Sequence, residues 1–403
     1  MWEEKININK VFELRCKNTT YFGVGAIEKI NDILDEFQEK GIERILFVTG
    51  NSSYKKCGAW EVVEPALKER NMEYEVYNNI APNPTVEMID EAAARGKKLK
   101  AQAVVGIGGG SPIDTAKGVA VLLENEGITG QQLYEGEGNP DNALPIVAIN
   151  TTHGTGTEVD RFAVATIPEK EYKPVIAFEY IYPEYAIDDP QLTTTLDRDQ
   201  TIAVTVDAIN HVTESATTQT KSPYSILTAK ETIRLASKYL PAAVNDPDNL
   251  TARYYLMYAA AIAGISFDNG LLHYTHALEH PLSAVRGEVT HGLGLGALLP
   301  AVVETIYPSC PEVLADIYSP IVPDLEGIPG EAEYISEKIE NWLFKIGCTE
   351  KLSDLGFKEE DVERLTALAK NTPSLDLLLS VAPDDDSAEI ISSIYERSLE
   401  RIN

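Results

Sequence analysis

Five of the six histidines in this 403-residue chain fall between residues 211 and 291. They are His211, His273, His276, His280 and His291, and Asp207 precedes the first by four positions. On a helix, residues four apart share a face with Cβ atoms about 5–6 Å apart. That is close enough for two side chains to hold one ion. A mixed Asp/His set suits a divalent first-row transition metal with an open coordination position. A lone histidine in an alanine-rich helical region would read as a packed core residue. A cluster, in a chain whose other histidine is His153 alone, reads as a metal site. Spacing leaves open which of His273, His276 and His280 serves, because all three fall on one helical face.

A second kind of chemistry lies upstream. Gly106-Ile107-Gly108-Gly109-Gly110-Ser111-Pro112-Ile113-Asp114 closes a strand pattern and opens a helical one. Glycines admit a bulky anion close to the backbone, and a helix N-terminus offers free N–H groups and a positive dipole end. Ser111 is expected as the N-cap and Pro112 as the first helical residue. The spacing is neither the GxGxxG fingerprint nor a P-loop, which would need a lysine. A hydroxyl-rich turn, Thr151-Thr152-His153-Gly154-Thr155-Gly156-Thr157-Glu158, follows the next apolar run. A third turn is Thr49-Gly50-Asn51-Ser52-Ser53. Turns after neighbouring parallel strands face the carboxyl edge of the sheet, where α/β ligands bind. At the third turn, dinucleotide enzymes often carry an acidic residue that holds the ribose 2′-hydroxyl. Gly50, Asn51 and Ser52 instead leave room for a 2′-phosphate and no carboxylate to repel it, so NADP(H) is expected.

These sites need a scaffold. Ile45–Thr49, Tyr74–Tyr77, Ala103–Ile107 and Ile146–Ile149 read as strands. Between them run amphipathic helical patterns at Glu28–Glu39, Glu61–Arg70, Val86–Leu99 and Ile113–Glu124. Such alternation predicts a mostly parallel sheet with helices on both faces. From about Asp199 helical patterns take over (Asp199–Thr220, Tyr224–Val244, Leu250–Ile265). The expected division is an α/β domain over residues 1–189 and an all-helical domain over 190–403. A formal net charge of -29 argues against nucleic acid and anionic membranes. The longest near-apolar stretch, Tyr254 to Ile265, is too short to span a bilayer. The N-terminus lacks the apolar run of a signal peptide. Four scattered cysteines without CxxC spacing fit reduced thiols, so a cytoplasmic protein is expected.

Taken together, the chain resembles the iron-containing (group III) alcohol dehydrogenases over nearly its whole length. The resemblance is carried by Pro82-Asn83-Pro84-Thr85, Gly108 to Asp114 and Thr151 to Glu158. It continues through Asp188-Asp189-Pro190-Gln191-Leu192-Thr193, Asp207-Ala208-Ile209-Asn210-His211, and His276-Ala277-Leu278-Glu279-His280-Pro281-Leu282 leading to His291-Gly292. It implies an α/β dinucleotide-binding domain, a helical domain and an active site in the cleft. It implies metal ligands Asp207, His211, His276 and His291, with His280 near the substrate. It implies cofactor contacts from Gly109, Gly110, Ser111, Asp114, Thr151, Thr152, Thr155, Asn83, Lys173 and Leu192. Gly50 stands where NAD-preferring members often carry Asp. The implied activity is NADP(H)-linked interconversion of small alcohols and aldehydes or ketones, by a homodimer using Fe(II) as Lewis acid, with Zn(II) possible for the same ligands. His153, Thr157, Asp160 and Arg161 depart from the family pattern, and Asp160, Arg161 and Phe162 are candidates for the substrate pocket.

Three rival readings compete. One is a glycerol-dehydrogenase-like zinc enzyme, which uses fewer histidine ligands. Another is a dehydroquinate-synthase-type lyase, which needs many basic residues; apart from Arg253, the only one between Lys238 and His291 is Arg286. A metal storage or sensor protein would leave the glycine turn unexplained.

Overall fold

The computed structural model describes residues 2–6 and 10–402. Eight strands lie before residue 189: β1 (Thr19–Phe22), β2 (Arg44–Gly50), β3 (Glu73–Ile80), β4 (Ala103–Gly108), β5 (Ile146–Asn150), β6 (Phe162–Val164), β7 (Val175–Ala177) and β8 (Tyr185–Asp188). Six form one parallel sheet in the order β1-β8-β5-β4-β2-β3, while β6 and β7 pair antiparallel. Strands buried on both faces need apolar side chains at successive positions. This is why Ile45–Val48, Val104–Val105 and Ile146–Ile149 are continuous runs with almost no exposure.

Helices α1 (Ile30–Glu39), α2 (Ser53–Lys56), α3 (Ala59–Glu69), α4 (Val86–Leu99), α5 (Gly110–Glu124) and α6 (Gly130–Tyr134) accompany the sheet. Helix α1 buries Ile30, Ile33, Leu34 and Phe37, a 3.6-residue stripe, against one face. Helices α4 and α5 cover the other through Ile89, Ala116 and Val119. The remainder is helical: α7 (Arg198–Ser215), α8 (Pro223–Asn245), α9 (Leu250–Gly270), α10 (Tyr274–Val285), α11 (His291–Ile306), α12 (Pro311–Tyr318), α13 (Ala332–Ile346), α14 (Val362–Asn371), α15 (Leu375–Ser380) and α16 (Ala388–Leu399). The architecture is the expected α/β part with a parallel sheet, followed by a helical part.

Two local expectations change. Helix α7 stops at Ser215, short of Thr220, because the hydroxyls of Thr218 and Thr220 turn aside to the Gly270 carbonyl at 2.6 and 2.7 Å. Helix α5 begins at Gly110 with Gly109 as N-cap, so Ser111 is not the cap and Pro112 is the third helical residue. Proline is still tolerated there, since first-turn N–H groups have no intrahelical partner. Among the described residues, no helix is long and apolar enough to cross a membrane.

Candidate metal centre and cofactor turns

Helix α7 brings Asp207 and His211 to one face, α10 supplies His276, and His291 opens α11. Nε2 of His211 and Nε2 of His276 each lie 3.5 Å from Asp207 Oδ1, and Nε2 of His291 lies 3.9 Å from it. Ligand bonds of about 2.1 Å in a tetrahedron put neighbouring donor atoms about 3.4 Å apart. The donors of Asp207, His276 and His291 all fall within 4.8 Å of one another. Asp207 Oδ1 and His276 Nε2 are buried without a hydrogen-bond partner among the described residues. Buried polar atoms left bare are rare and ask for a ligand. The donor chemistry and these bare atoms therefore fit a divalent cation.

Behind two of the rings stand carboxylates that the motif reading did not single out. Glu214 faces His276 Nδ1, and Glu279 faces His291 Nδ1. Burial would raise the Glu214 carboxyl, but His276 outweighs it and holds the group at about 2. A metal-bound histidine ordinarily gives its other N–H to such a group. Lys173 Nζ stands 3.6 Å from Glu279. The Glu214 contact, with Asp207, outweighs burial at His276 and raises its imidazole to about 9. With the imidazoles neutral, as ligands must be, Asp207, Glu214 and Glu279 against Lys173 leave a surplus of two negative charges, which a dication neutralises. The approach of α11 to α7 depends on Gly292, where an added Cβ would sit 2.0 Å from the Ala203 carbonyl oxygen.

His273 does not join this set. It caps α10 from non-helical backbone, so the face shared with His276 breaks there. Its Nδ1 accepts from Tyr274 N, and its Nε2 lies 2.8 Å from Thr217 Oγ1. His280 Nδ1 lies 2.8 Å from the Lys173 carbonyl oxygen. A carbonyl only accepts, so Nδ1 carries the proton and Nε2 the lone pair. Burial, then the Lys173 charge, push this imidazole well below the usual histidine range.

The three polar turns follow β2, β4 and β5 at the carboxyl end of the sheet. The glycines there have a packing reason of their own. A Cβ on Gly109 would meet Thr152 Cγ2 at 2.7 Å, and one on Gly110 would meet Thr155 Cγ2 at 2.7 Å. Thr151 N bonds the Gly108 carbonyl at 2.9 Å. Ser111 is half-buried, while Asp114 spends both oxygens inside the protein, on Thr157 Oγ1 at 2.6 Å and Val164 N at 3.0 Å. Gly50 ends β2, with Asn51 exposed and Ser52 half-buried beyond it. Asn83 donates to the carbonyls of Gly287 and Val289, just before His291, and accepts from Lys173 Nζ at 2.9 Å. Lys173 also donates to Ser283 Oγ at 2.7 Å. The two residues thus tie the α/β part to the loop that leads into His291. Leu192 is packed into the core beneath the sheet.

Asp160 is not at a pocket wall: it is buried in an ion pair with Lys117 at 2.9 Å. Burial raises its carboxyl to about 7 against the pull of Lys117. Arg161 pairs with Glu179 at 2.7 Å. Phe162 rests on Phe267 with ring centroids 5.6 Å apart, and Phe267 stacks on His211 at 4.5 Å. His153 is buried, with Nε2 accepting from Arg253 at 3.0 Å and Nδ1 3.3 Å from Thr205 Oγ1. Burial, reinforced by Arg253, lowers its imidazole to about 3. The folded protein refuses a proton that the unfolded chain takes near pH 6.5, so stability is full above that pH and falls toward pH 3. The slope from this group is about 1.4 kcal/mol per pH unit. His153→Gln keeps an acceptor for Arg253 and should flatten urea midpoints measured between pH 6.5 and 4. An unchanged slope would rule His153 out as its source.

Comparison with known proteins gives one answer at several ranges. The "Iron-containing alcohol dehydrogenase" family description matches residues 17–190, and "Fe-containing alcohol dehydrogenase family, C-terminal" matches residues 201–399. The chain is 66% identical over 398 residues to the long-chain primary alcohol dehydrogenase AdhA of Thermoanaerobacter ethanolicus, covering 99% of this chain and 100% of that one. It is 32% identical to the 1,3-propanediol dehydrogenase of Klebsiella pneumoniae, covering 89% of this chain and 92% of that one. Among solved structures, the NADH-dependent butanol dehydrogenase A of Thermotoga maritima superposes with a TM-score of 0.87 at 28% identity, over 97% of this chain and 99% of that one. This chain belongs to the iron-containing alcohol dehydrogenase family and is an oxidoreductase acting on alcohols.

Proposed function

We propose that the chain is an NADP(H)-linked dehydrogenase of primary alcohols, long-chain ones included. In this reading Asp207, His211, His276 and His291 hold Fe(II), or Zn(II), at the junction of an α/β domain (residues 1–189) and a helical domain (190–403). The observation that carries it is the convergence of three imidazole Nε2 atoms on one bare carboxylate oxygen. The 66% identical relative named for long-chain primary alcohols supports the substrate class. A cytoplasmic homodimer is part of the same reading.

When bound, the divalent ion supplies Lewis acidity toward an alcohol or carbonyl oxygen, and the nicotinamide takes or gives the hydride. The protein's own groups arrange the rest. Gly109, Gly110 and Ser111 present the start of α5 to the pyrophosphate, with Thr151, Thr152 and Thr155 beside them. Asn83 and Lys173 brace the cofactor side against the loop before His291. The lone pair on His280 Nε2 makes it the acceptor for the alcohol proton. Its protonated form is disfavoured by burial and neighbouring cations, so it passes that proton onward rather than keeping it. His280→Ala should retain its metal and lose about 10²–10⁴-fold in kcat. A kcat unchanged from pH 6 to 9 would reduce His280 to a packing residue.

The deciding experiment is an NADPH-consumption screen across aldehydes of increasing chain length, with Fe(II)- and Zn(II)-loaded protein. No turnover of any aldehyde sinks the reading. The NADP(H) preference has its own test. A Cβ at Gly50 would meet the movable Ser53 Oγ at 3.2 Å, so Gly50→Asp is sterically tolerable. It should shift kcat/KM toward NADH by at least about tenfold, roughly 1.4 kcal/mol. A wild-type kcat/KM clearly higher with NADH refutes the preference.

A further inference from the structure

We propose that Glu214 is a positioning residue of the metal centre, fixing the His276 ring by fastening the first turn of α10 to the end of α7. The proposal rests on the reading of Asp207, His211, His276 and His291 as metal ligands. Glu214 lies seven residues after Asp207 and three after His211, on the same face of α7, and is fully buried. Its Oε1 accepts from the backbone N–H of His273 at 2.9 Å and of His276 at 3.3 Å. Its Oε2 faces His276 Nδ1. A carboxylate only accepts, so Nδ1 holds a ring proton, and in the neutral, ligating ring Nε2 is then left with the lone pair. The opposite tautomer would aim an N–H at Asp207 and could not ligate.

The turn between α9 and α10 explains why such an anchor is needed. Leu271 there has φ 63° and ψ 176°, backbone that a residue with a Cβ rarely adopts. Strain of this kind persists only where the surroundings over-determine it. Here the segment from Glu214 to Thr220 does so. Thr218 and Thr220 hold the Gly270 carbonyl, Thr217 meets the His273 ring, and Glu214 takes the two N–H groups. Of these anchors, Glu214 also grips the ligand ring. The effect extends further. His211 Nδ1 has no partner among the described residues, and its ring is located by stacking between Phe267 and His276, the latter at 4.4 Å and 14°. Releasing His276 therefore frees one face of His211 as well.

The test measures metal binding rather than turnover. Zn(II) affinity is read by chelator competition, and ligand geometry by the visible absorption of the Co(II)-loaded protein. Glu214→Gln offers the ring an amide and should weaken Zn(II) binding by 10–100-fold, with an altered Co(II) spectrum. Glu214→Asp keeps the charge with a shorter reach and should fall between. Glu340→Gln is the structural control: this buried carboxylate holds Lys351 at 2.8 Å, and its loss should cost stability with Zn(II) affinity intact. Wild-type protein that takes up no stoichiometric Zn(II) or Co(II) overturns the ligand reading itself. Wild-type uptake with Glu214→Gln within twofold of it, and the same Co(II) spectrum, overturns the role of Glu214 alone. If Glu214→Gln is recovered unfolded by circular dichroism, proton–nitrogen NMR of the zinc-loaded wild type decides. A His276 Nδ1 proton shifted far downfield by a carboxylate hydrogen bond supports the proposal, and one at the shift of an imidazole N–H without such a partner refutes it.

Discussion

His276→Ala should lose at least an order of magnitude in both metal content and turnover, while His273→Ala should keep both and lose stability. The two residues are three apart and equally buried, so neither sequence spacing nor exposure separates them. Geometry does. His276 Nε2 points at Asp207 Oδ1, and removing it takes away one of the four proposed donors. His273 turns the other way, its ring spent on Thr217 and on capping α10. Its alanine variant leaves a cavity and takes the acceptor from the Tyr274 N–H, a loss of about 1–3 kcal/mol. Metal analysis, an NADPH assay and a urea titration on both proteins check this. Full metal and turnover in His276→Ala, with both lost in His273→Ala, would show the assignment reversed.

The second large effect is expected at Gly292, which touches no ligand. An added Cβ would lie 2.0 Å from the Ala203 carbonyl oxygen and 2.5 Å from its carbon, both backbone atoms of α7. No rotamer relieves such a clash, so α11 must move away from α7. His291 moves with it, since it is the adjacent residue. Gly292→Ala should therefore cost about 2–4 kcal/mol of stability and weaken metal binding at least tenfold. Gly287→Ala, in the loop just before α11 and with open space around its Cβ position, should do neither. Equal metal affinity in the two variants would disconnect the helix contact from the site.

Features set by neighbours along the chain are legible in the sequence, and those set by distant partners are not. Strands β2, β4 and β5 were legible because burial on both faces leaves apolar runs. Strand β1 was not: Thr19–Phe22 is a half-exposed edge with little apolar signal. Strands β6 and β7 are three residues each, too short for a period to show. Asp207 and His211 were readable as a pair because a helix converts a spacing of four into a shared face. Glu214 obeys the same rule at a spacing of seven, but a glutamate on a helix carries no chemical flag until its partner is known. That partner, His276, is 62 residues away in the chain. Asp160 was misplaced for a similar reason, since Lys117, which buries it, lies 43 residues earlier. Ser111 failed as a cap because three glycines let the helix begin before the residue that would ordinarily start it.

The sheet order also sets a timetable for synthesis. Strand β1 has its partner in β8, Thr19 opposite Tyr185, which leaves the ribosome 166 residues later. At about 5–20 residues per second, that is a wait of roughly 8–30 s. Strands β2, β3, β4 and β5 can assemble meanwhile, and β8 must then add to β5 before β1 has anywhere to dock. The first strand made is thus the last one placed. A nascent chain halted before residue 185 would carry its N-terminal segment open to proteases, and one extended past β8 would protect it.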